Sequence, residues 1–240
     1  MKTLIPKLSA ALAVAVCLTA TSASAQIIYI DFGGGSNQMS SPDSLGNYWN
    51  NFTNDAPTLG NSLSLITSAN TSSGITLTYT DASSGANTGG TTAASTSIAA
   101  FNSTNSQNLG MDSIFVETAN PQFKFTLSGL DPGKTYTFTM FASRAGVSNN
   151  RNSSYTFDGL ASTTVELQAA NNTSNVVSTG ALAPTAGGNI DFTLGLGTGN
   201  DSGFAYLGGM QISIIPEPAT WALLAGGLTF LVIARRRKAH

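Results

Sequence analysis

Residues 123–140 read Phe123-Lys124-Phe125-Thr126-Leu127-Ser128-Gly129-Leu130-Asp131-Pro132-Gly133-Lys134-Thr135-Tyr136-Thr137-Phe138-Thr139-Met140. Apolar and polar residues alternate on both sides of a Gly-Leu-Asp-Pro-Gly link. Successive side chains of a strand point to opposite faces, so a period of two marks a strand with one buried face. Pro fixes one backbone angle, Gly admits the left-handed region and Asp bonds its own backbone, so the link predicts a turn. The stretch reads as two strands joined in a hairpin.

The same pattern extends outward. Ile75, Leu77 and Tyr79 alternate with Thr76, Thr78 and Thr80. Further strands are expected at 27–32, 63–67, 113–116, 154–157, 163–167, 176–179, 190–194 and 210–214. No segment before the C-terminal tail has a 3.6-residue period. No internal repeat appears, which argues against a solenoid or propeller. Many short strands with turn-rich links predict an all-β fold, a two-sheet antiparallel β-sandwich of the jelly-roll kind. Residues 81–110, rich in Ser, Thr, Gly, Ala and Asn, read as a long loop.

Composition narrows the function. Charged residues make up 9% of the chain, about a third of the usual fraction. Between 26 and 215 the basic residues are Lys124, Lys134, Arg144 and Arg151, against eleven acids, a net charge of −7. Phosphate neutralisation needs a basic footprint, so nucleic acid is excluded as a partner. The single Cys17 precedes this region, which therefore has no disulfide and no Cys-ligated metal. Acidity leaves room for a divalent cation. Asp31 or Asp201 could ligate a structural Ca²⁺ through oxygen, although no EF-hand spacing supports one. No other cofactor is expected.

The two ends carry addresses. Lys2 and Lys7, the apolar run 8–18 and Ala23-Ser24-Ala25 make a signal peptide over residues 1–25, which implies passage through the Sec machinery. Residues 26–215 form the β-sandwich domain. The tail, 216–240, begins with Pro216-Glu217-Pro218, continues through sixteen uncharged residues, 219–234, and ends in Arg235-Arg236-Arg237-Lys238. As a helix the run would rise about 24 Å. Snorkelling arginines and Trp221 at the opposite interface would let it cross a bilayer of roughly 30 Å. The basic cluster should stay cytoplasmic, with the domain outside the inner membrane.

Ile215-Pro216-Glu217-Pro218-Ala219-Thr220-Trp221-Ala222-Leu223-Leu224, with the apolar run and basic end, resembles a PEP-CTERM sorting signal. Such tails occur in Gram-negative bacteria that make exopolysaccharide. The resemblance implies recognition by an exosortase, tail removal near Pro216-Glu217-Pro218, and delivery to the cell surface or biofilm matrix. A second resemblance covers the domain. The stretch 125–138, with Ile30-Asp31-Phe32-Gly33, Ser143-Arg144, Arg151, Tyr155, Asn171-Asn172-Thr173, Pro184, Gly188 and Tyr206-Leu207, resembles galactose-binding-like jelly rolls. Those modules are appended to polysaccharide-active enzymes, so the resemblance implies a polysaccharide partner.

Catalytic residues are scarce. The only histidine is His240, in the tail, so Ser-His-Asp and Cys-His chemistry has no imidazole in the domain. There is no HExxH and no P-loop. Glycoside hydrolysis would need two facing carboxylates, and no spacing pairs Glu117, Glu166 or any Asp. The domain is therefore read as non-enzymatic. Sugar binding calls for aromatic faces and planar polar groups. Asn47-Tyr48-Trp49-Asn50-Asn51-Phe52 concentrates both, and Arg144 and Arg151 flank the loop 145–150. Tyr48, Trp49, Arg144 and Arg151 are thus the candidate carbohydrate-binding residues. Other readings stay open: Trp49 and Phe52 as core plugs, an arginine paired with Asp158, a purely structural or adhesive protein, or a glycan hydrolase.

Overall fold

Strand β1 (Gln26–Gly33) explains the architecture. Ile28, Ile30 and Phe32 on one face are fully buried, and Tyr29 and Asp31 on the other are buried too. A strand covered on both sides belongs in the middle of a sheet with layers above and below. In this computed structural model the described residues are 25–53, 59–103 and 109–215. The expected signal peptide and the sorting residues Pro216, Glu217, Pro218, Arg235, Arg236 and Arg237 lie outside them. Among the described residues no helix is long and apolar enough to cross a membrane.

Residues Ala25–Ile215 form one compact unit. After β1 come β2 (Trp49–Thr53), β3 (Ser62–Ile66), β4 (Ser72–Asp81), β5 (Gly85–Asn87), β6 (Ser113–Glu117) and β7 (Gln122–Ser128). Then follow β8 (Thr135–Phe141), β9 (Asn152–Asp158), β10 (Ser162–Gln168), β11 (Val177–Ser178), β12 (Ile190–Leu196), β13 (Phe204–Leu207) and β14 (Gly209–Ile215). One sheet has the order β11-β8-β14-β1-β2, and a second has β10-β9-β12-β7-β4-β3. Their apolar faces meet. Phe138 of β8 stacks on Phe157 of β9 at 4.3 Å, and Phe32 of β1 stacks on Phe125 of β7 at 5.9 Å. Such pairs add about 0.5–1.5 kcal/mol each beyond the area they bury.

The expected strands all form, with three corrections. First, β7 and β8 are not a hairpin. They belong to opposite sheets, and 129–133 is an arch between them. Leu130 is buried at its apex, and its N–H donates to Gly188 O at 3.0 Å. The Tyr136 hydroxyl accepts from Asp131 N at 2.8 Å and fixes the descent into β8. Gly129 has φ +78°, and a side chain there would collide with Gly74 O. Alternation reveals one buried face per strand, which two facing strands satisfy as well as two adjacent ones. Second, the sheets are not purely antiparallel: β1 and β2 pair in parallel. Third, a three-stranded sheet, β13-β6-β5, accompanies the two large ones. It draws β5 out of the expected loop, which also holds a 3-10 turn at Ala99–Asn102.

Beyond the main core, a smaller cluster covers the outer face of β1. Tyr29, Met39, Trp49, Ala100, Phe101, Leu109 and Phe141 pack there. The buried Asp31 lies on the same face. Its Oδ2 accepts from Met39 N at 2.8 Å. Asp112, also buried, accepts from Gly34 N at 2.7 Å. Burial, with the Asp112 charge adding to it, pushes the Asp31 carboxyl well above the usual range despite the Met39 bond.

Candidate functional site: an aromatic and arginine face on the third sheet

The short strand β6 reads Ser-Ile-Phe-Val-Glu. Ile114 and Val116 point into the core, which turns Phe115 and Glu117 to the outside. In β13, Ala205 and Leu207 take one face of the strand and Phe204 and Tyr206 the other, with Tyr206 buried in the main core cluster and Phe204 packed partly buried against it. Pairing aligns Tyr206 with Phe115, Phe204 with Glu117, and Gly85 with Phe115. Gly85 matters: a Cβ there would sit 3.0 Å from Phe115 Cε1, so its absence gives the ring room over β5. Phe115 lies 5.9 Å from Phe204 and 6.3 Å from Tyr206, centroid to centroid. Phe115 and Phe204 are half-buried, and Tyr206 is closed off.

Arg151 lies across this row. Its Cζ is 5.3 Å from the Phe204 centroid and 5.7 Å from that of Tyr206. Nε donates to Asn149 Oδ1 at 2.9 Å, and Nη1 donates to the Tyr206 hydroxyl. A cation over a ring gains about 0.5–2 kcal/mol. The backbone of Arg151 is also held, its N–H donating to Gln168 Oε1 at 2.9 Å. Around it runs a collar of amides. Gln168 Nε2 donates to Asn150 Oδ1 at 2.7 Å, and Asn150 N donates to Asp201 Oδ1 at 2.6 Å. Asn152 donates to Glu166 Oε2 at 2.6 Å, while the backbone N–H and hydroxyl of Thr198 both reach Oε1 at 2.9 Å. The Thr198 backbone bond, helped by the two side-chain bonds, holds the Glu166 carboxyl below its usual range.

The expected site residues divide. Arg144 and Arg151 come together on the segment 169–171. Arg144 N donates to Ala169 O at 2.8 Å, and Ala169 N donates to Arg151 O at 3.3 Å. Arg144 Nη1 reaches Gly89 O at 2.8 Å and ties β5's exit to this end of the sandwich. Neither arginine pairs with Asp158. That residue ends β9, seven positions from Arg151, or roughly 23 Å along an extended strand. Trp49 sits on β2, in the smaller cluster. It is 3% exposed, stacked on Tyr29 at 5.0 Å and near Phe101 at 6.2 Å. Tyr48 precedes it, half-buried, with its N–H donating to Ser68 O at 3.0 Å. The indole therefore presents no open face for stacking. Phe115 and Phe204 are not among the residues the sequence offers for sugar binding, and Tyr206 enters there only through the jelly-roll resemblance. Phe115 lies on the expected strand 113–116, but the signal for Phe204 is the four-residue stretch Phe204-Ala205-Tyr206-Leu207, too short to register without its partner strand.

The acids considered for calcium are also apart. Asp31 is buried on β1, and Asp201 is exposed beside Asn150. Among the described residues no three acidic, His or Cys side chains gather into a metal cluster.

Comparison with known proteins bears first on the end of the chain. The family described as the PEP-CTERM protein-sorting motif matches residues 215–238. This chain carries a PEP-CTERM motif. The motif marks an exported protein that is processed by exosortase at the membrane. No curated protein matches the sequence. The chain is similar to the ANXUR1 extracellular domain from Arabidopsis thaliana. There 80% of this chain and 48% of that one align, at TM-score 0.47 and 11% identity. It thus spans about half the length of that ectodomain. It is also similar to TmCBM61 in complex with β-1,4-galactotriose, over 45% of this chain and 72% of that one, at TM-score 0.23 and 14% identity. A third similar structure is the exo-β-1,3-galactanase of Phanerochaete chrysosporium. It aligns over 44% of this chain and 23% of that one, at TM-score 0.28 and 18% identity.

Proposed function

We propose that residues 26–215 are a non-enzymatic carbohydrate-binding domain of an exported surface or matrix protein, and that exopolysaccharide is its ligand. The sugar lies on the face formed by Phe115, Phe204 and Arg151. The observation that carries this reading is the Arg151 guanidinium laid over Phe204, with two half-buried rings, Phe115 and Phe204, side by side. A sugar offers an apolar C–H face for the rings and hydroxyls for planar donors. The rings are fixed by strand pairing and the guanidinium by Asn149 and Tyr206, so little ordering cost falls on binding. β13 ends two residues before β14 begins its run, which leaves this face at the end of β14 away from Ile215. Ile215 lies about 20 Å along β14 from Gly209.

Catalysis finds less support. The domain has no histidine. Glu166, near the site, has both oxygens engaged by Asn152 and Thr198 and accepts bonds as a carboxylate. A second reading, a structural or adhesive protein without a sugar site, is favoured by the burial of Trp49. A glycan-array screen decides between them. Specific binding by the wild type, lost in Phe204→Ala with the thermal transition preserved, supports the binding domain. A folded wild type that binds nothing across a broad array supports the structural reading.

A further inference from the structure

Arg151 is better furnished than a neutral sugar requires. Hydroxyls can be met by amides, and Asn149 on the guanidinium, with Gln168 and Asn150 at the Arg151 backbone, already supplies them. A cation adds charge to that supply. In a domain of net charge −7, an arginine could easily have found an internal acid. Among the described residues the ion pair is Lys134–Asp131 at 3.4 Å, and neither Arg151 nor Arg144 has one. The neighbouring carboxylates are turned to other donors. Glu166 is held by Asn152 and Thr198, and Asp201 by Asn150 N. The guanidinium is thus held in place with its charge unmatched by any acid in the described structure.

Its geometry narrows the counter-charge. A guanidinium has five N–H donors in one plane. Nε is directed to Asn149, and one Nη1 donor to the Tyr206 hydroxyl. The remaining donors are available to a ligand. Parallel guanidinium donors fit the two oxygens of a carboxylate better than they fit a lone hydroxyl. Phe115, which the guanidinium does not cover, and the part of Phe204 left exposed fit the apolar face of a pyranose.

We propose that the ligand of this face is a uronate-bearing polysaccharide, whose carboxylate Arg151 receives while the sugar ring rests on Phe204 and Phe115. The assignment rests on the carbohydrate-binding reading and names its ligand class. The acidic domain repels a polyanion at long range, so selection comes from the short-range fork. Physiological salt, which screens charges beyond about 8 Å, leaves the contact itself largely intact.

The test uses the full-length chain in mild detergent and two forms of one polymer, polygalacturonate and its fully methyl-esterified derivative. Esterification removes the charge and keeps the sugar. We expect the free acid to bind at least tenfold more tightly. Arg151→Gln should erase that difference, and Arg151→Lys should restore part of it. Acetate at matched carboxylate concentration should not compete, which separates a uronate from a bare carboxylate. Equal or tighter binding of the ester, or of neutral galactan, by the unmodified protein overturns the uronate assignment and leaves the carbohydrate reading standing. Competition by acetate also overturns it. Binding to no glycan at all defeats both.

Discussion

The Trp49 indole donates its Nε1 proton to Asp43 Oδ2 at 2.9 Å, and both side chains are shut away from solvent. Asp43 accepts further bonds from Leu45 N, Asn47 N and the Ser103 hydroxyl. The pair closes the loop over the outer face of β1. Trp49→Phe keeps an aromatic ring against Tyr29 and removes one donor from a buried carboxylate, which costs about 1–3 kcal/mol. Denaturant unfolding should show that loss. In a Trp221→Phe chain, where Trp49 is the remaining tryptophan, emission should be blue-shifted and insensitive to acrylamide and to added glycan. A glycan-induced shift would put Trp49 in the binding site.

The two buried aspartates on this side should respond to pH in opposite directions. Burial raises the Asp43 carboxyl, but the bonds from Trp49, Asn47 and Leu45 outweigh it and hold it below its ordinary value. Its contribution is therefore present above the unfolded carboxylate pKa of about 4 and is lost as pH falls through the folded value. Asp31, pushed up by burial, contributes fully below that unfolded pKa and loses its contribution as pH rises through its folded value. Asp31→Asn, neutral at every pH, should raise the Tm at pH 8 more than at pH 4. An equal or lower Tm at pH 8 would show that something neutralises an ionised Asp31. Calcium would then be the ion to test, by comparing Tm with calcium and with chelator.

Gly129 fixes the arch between the sheets. Gly129→Ala forces a side chain into the left-handed region and against Gly74 O. The change should destabilise the fold by about 1–3 kcal/mol, read by thermal unfolding. A loss below a few tenths of a kcal/mol would mean that the arch relaxes without strain.

Removing 216–240 should separate address from fold. The compact unit Ala25–Ile215 does not include the tail, so the truncated chain should keep its thermal transition. It should also escape exosortase processing, since the PEP-CTERM motif at 215–238 is gone. Immunoblots of cell and medium fractions check the second point. Normal processing of the truncated chain would contradict the role of the motif.

How far the sequence could be read follows from what each pattern encodes. Alternation at Phe123, Phe125 and Leu127 and at Tyr136, Phe138 and Met140 located strands closely, because burial of one face is a local property. It could not say which strands share a sheet, and so the arch at Leu130 read as a hairpin. Trp49 looked like a sugar platform because aromatic and amide residues cluster around it. Its burial depends on Tyr29 and Phe101, distant in sequence. Arg151 was legible as an isolated cation, but the rings beneath it were not. Phe115, Phe204 and Tyr206 meet only through pairing of β6 with β13, nearly ninety positions apart. The PEP-CTERM motif, by contrast, is a linear signal, and the family match at 215–238 bears it out.

The central claim is that sugar binds at Phe115, Phe204 and Arg151. Backbone amide chemical shifts of the domain, recorded while a binding polysaccharide fragment is titrated in, test it most directly. Shifts should gather on 85–87, 113–117, 149–152 and 204–206, with residues 48–52 unmoved. Shifts centred on 48–52, or on the outer face of the six-stranded sheet, would contradict the account.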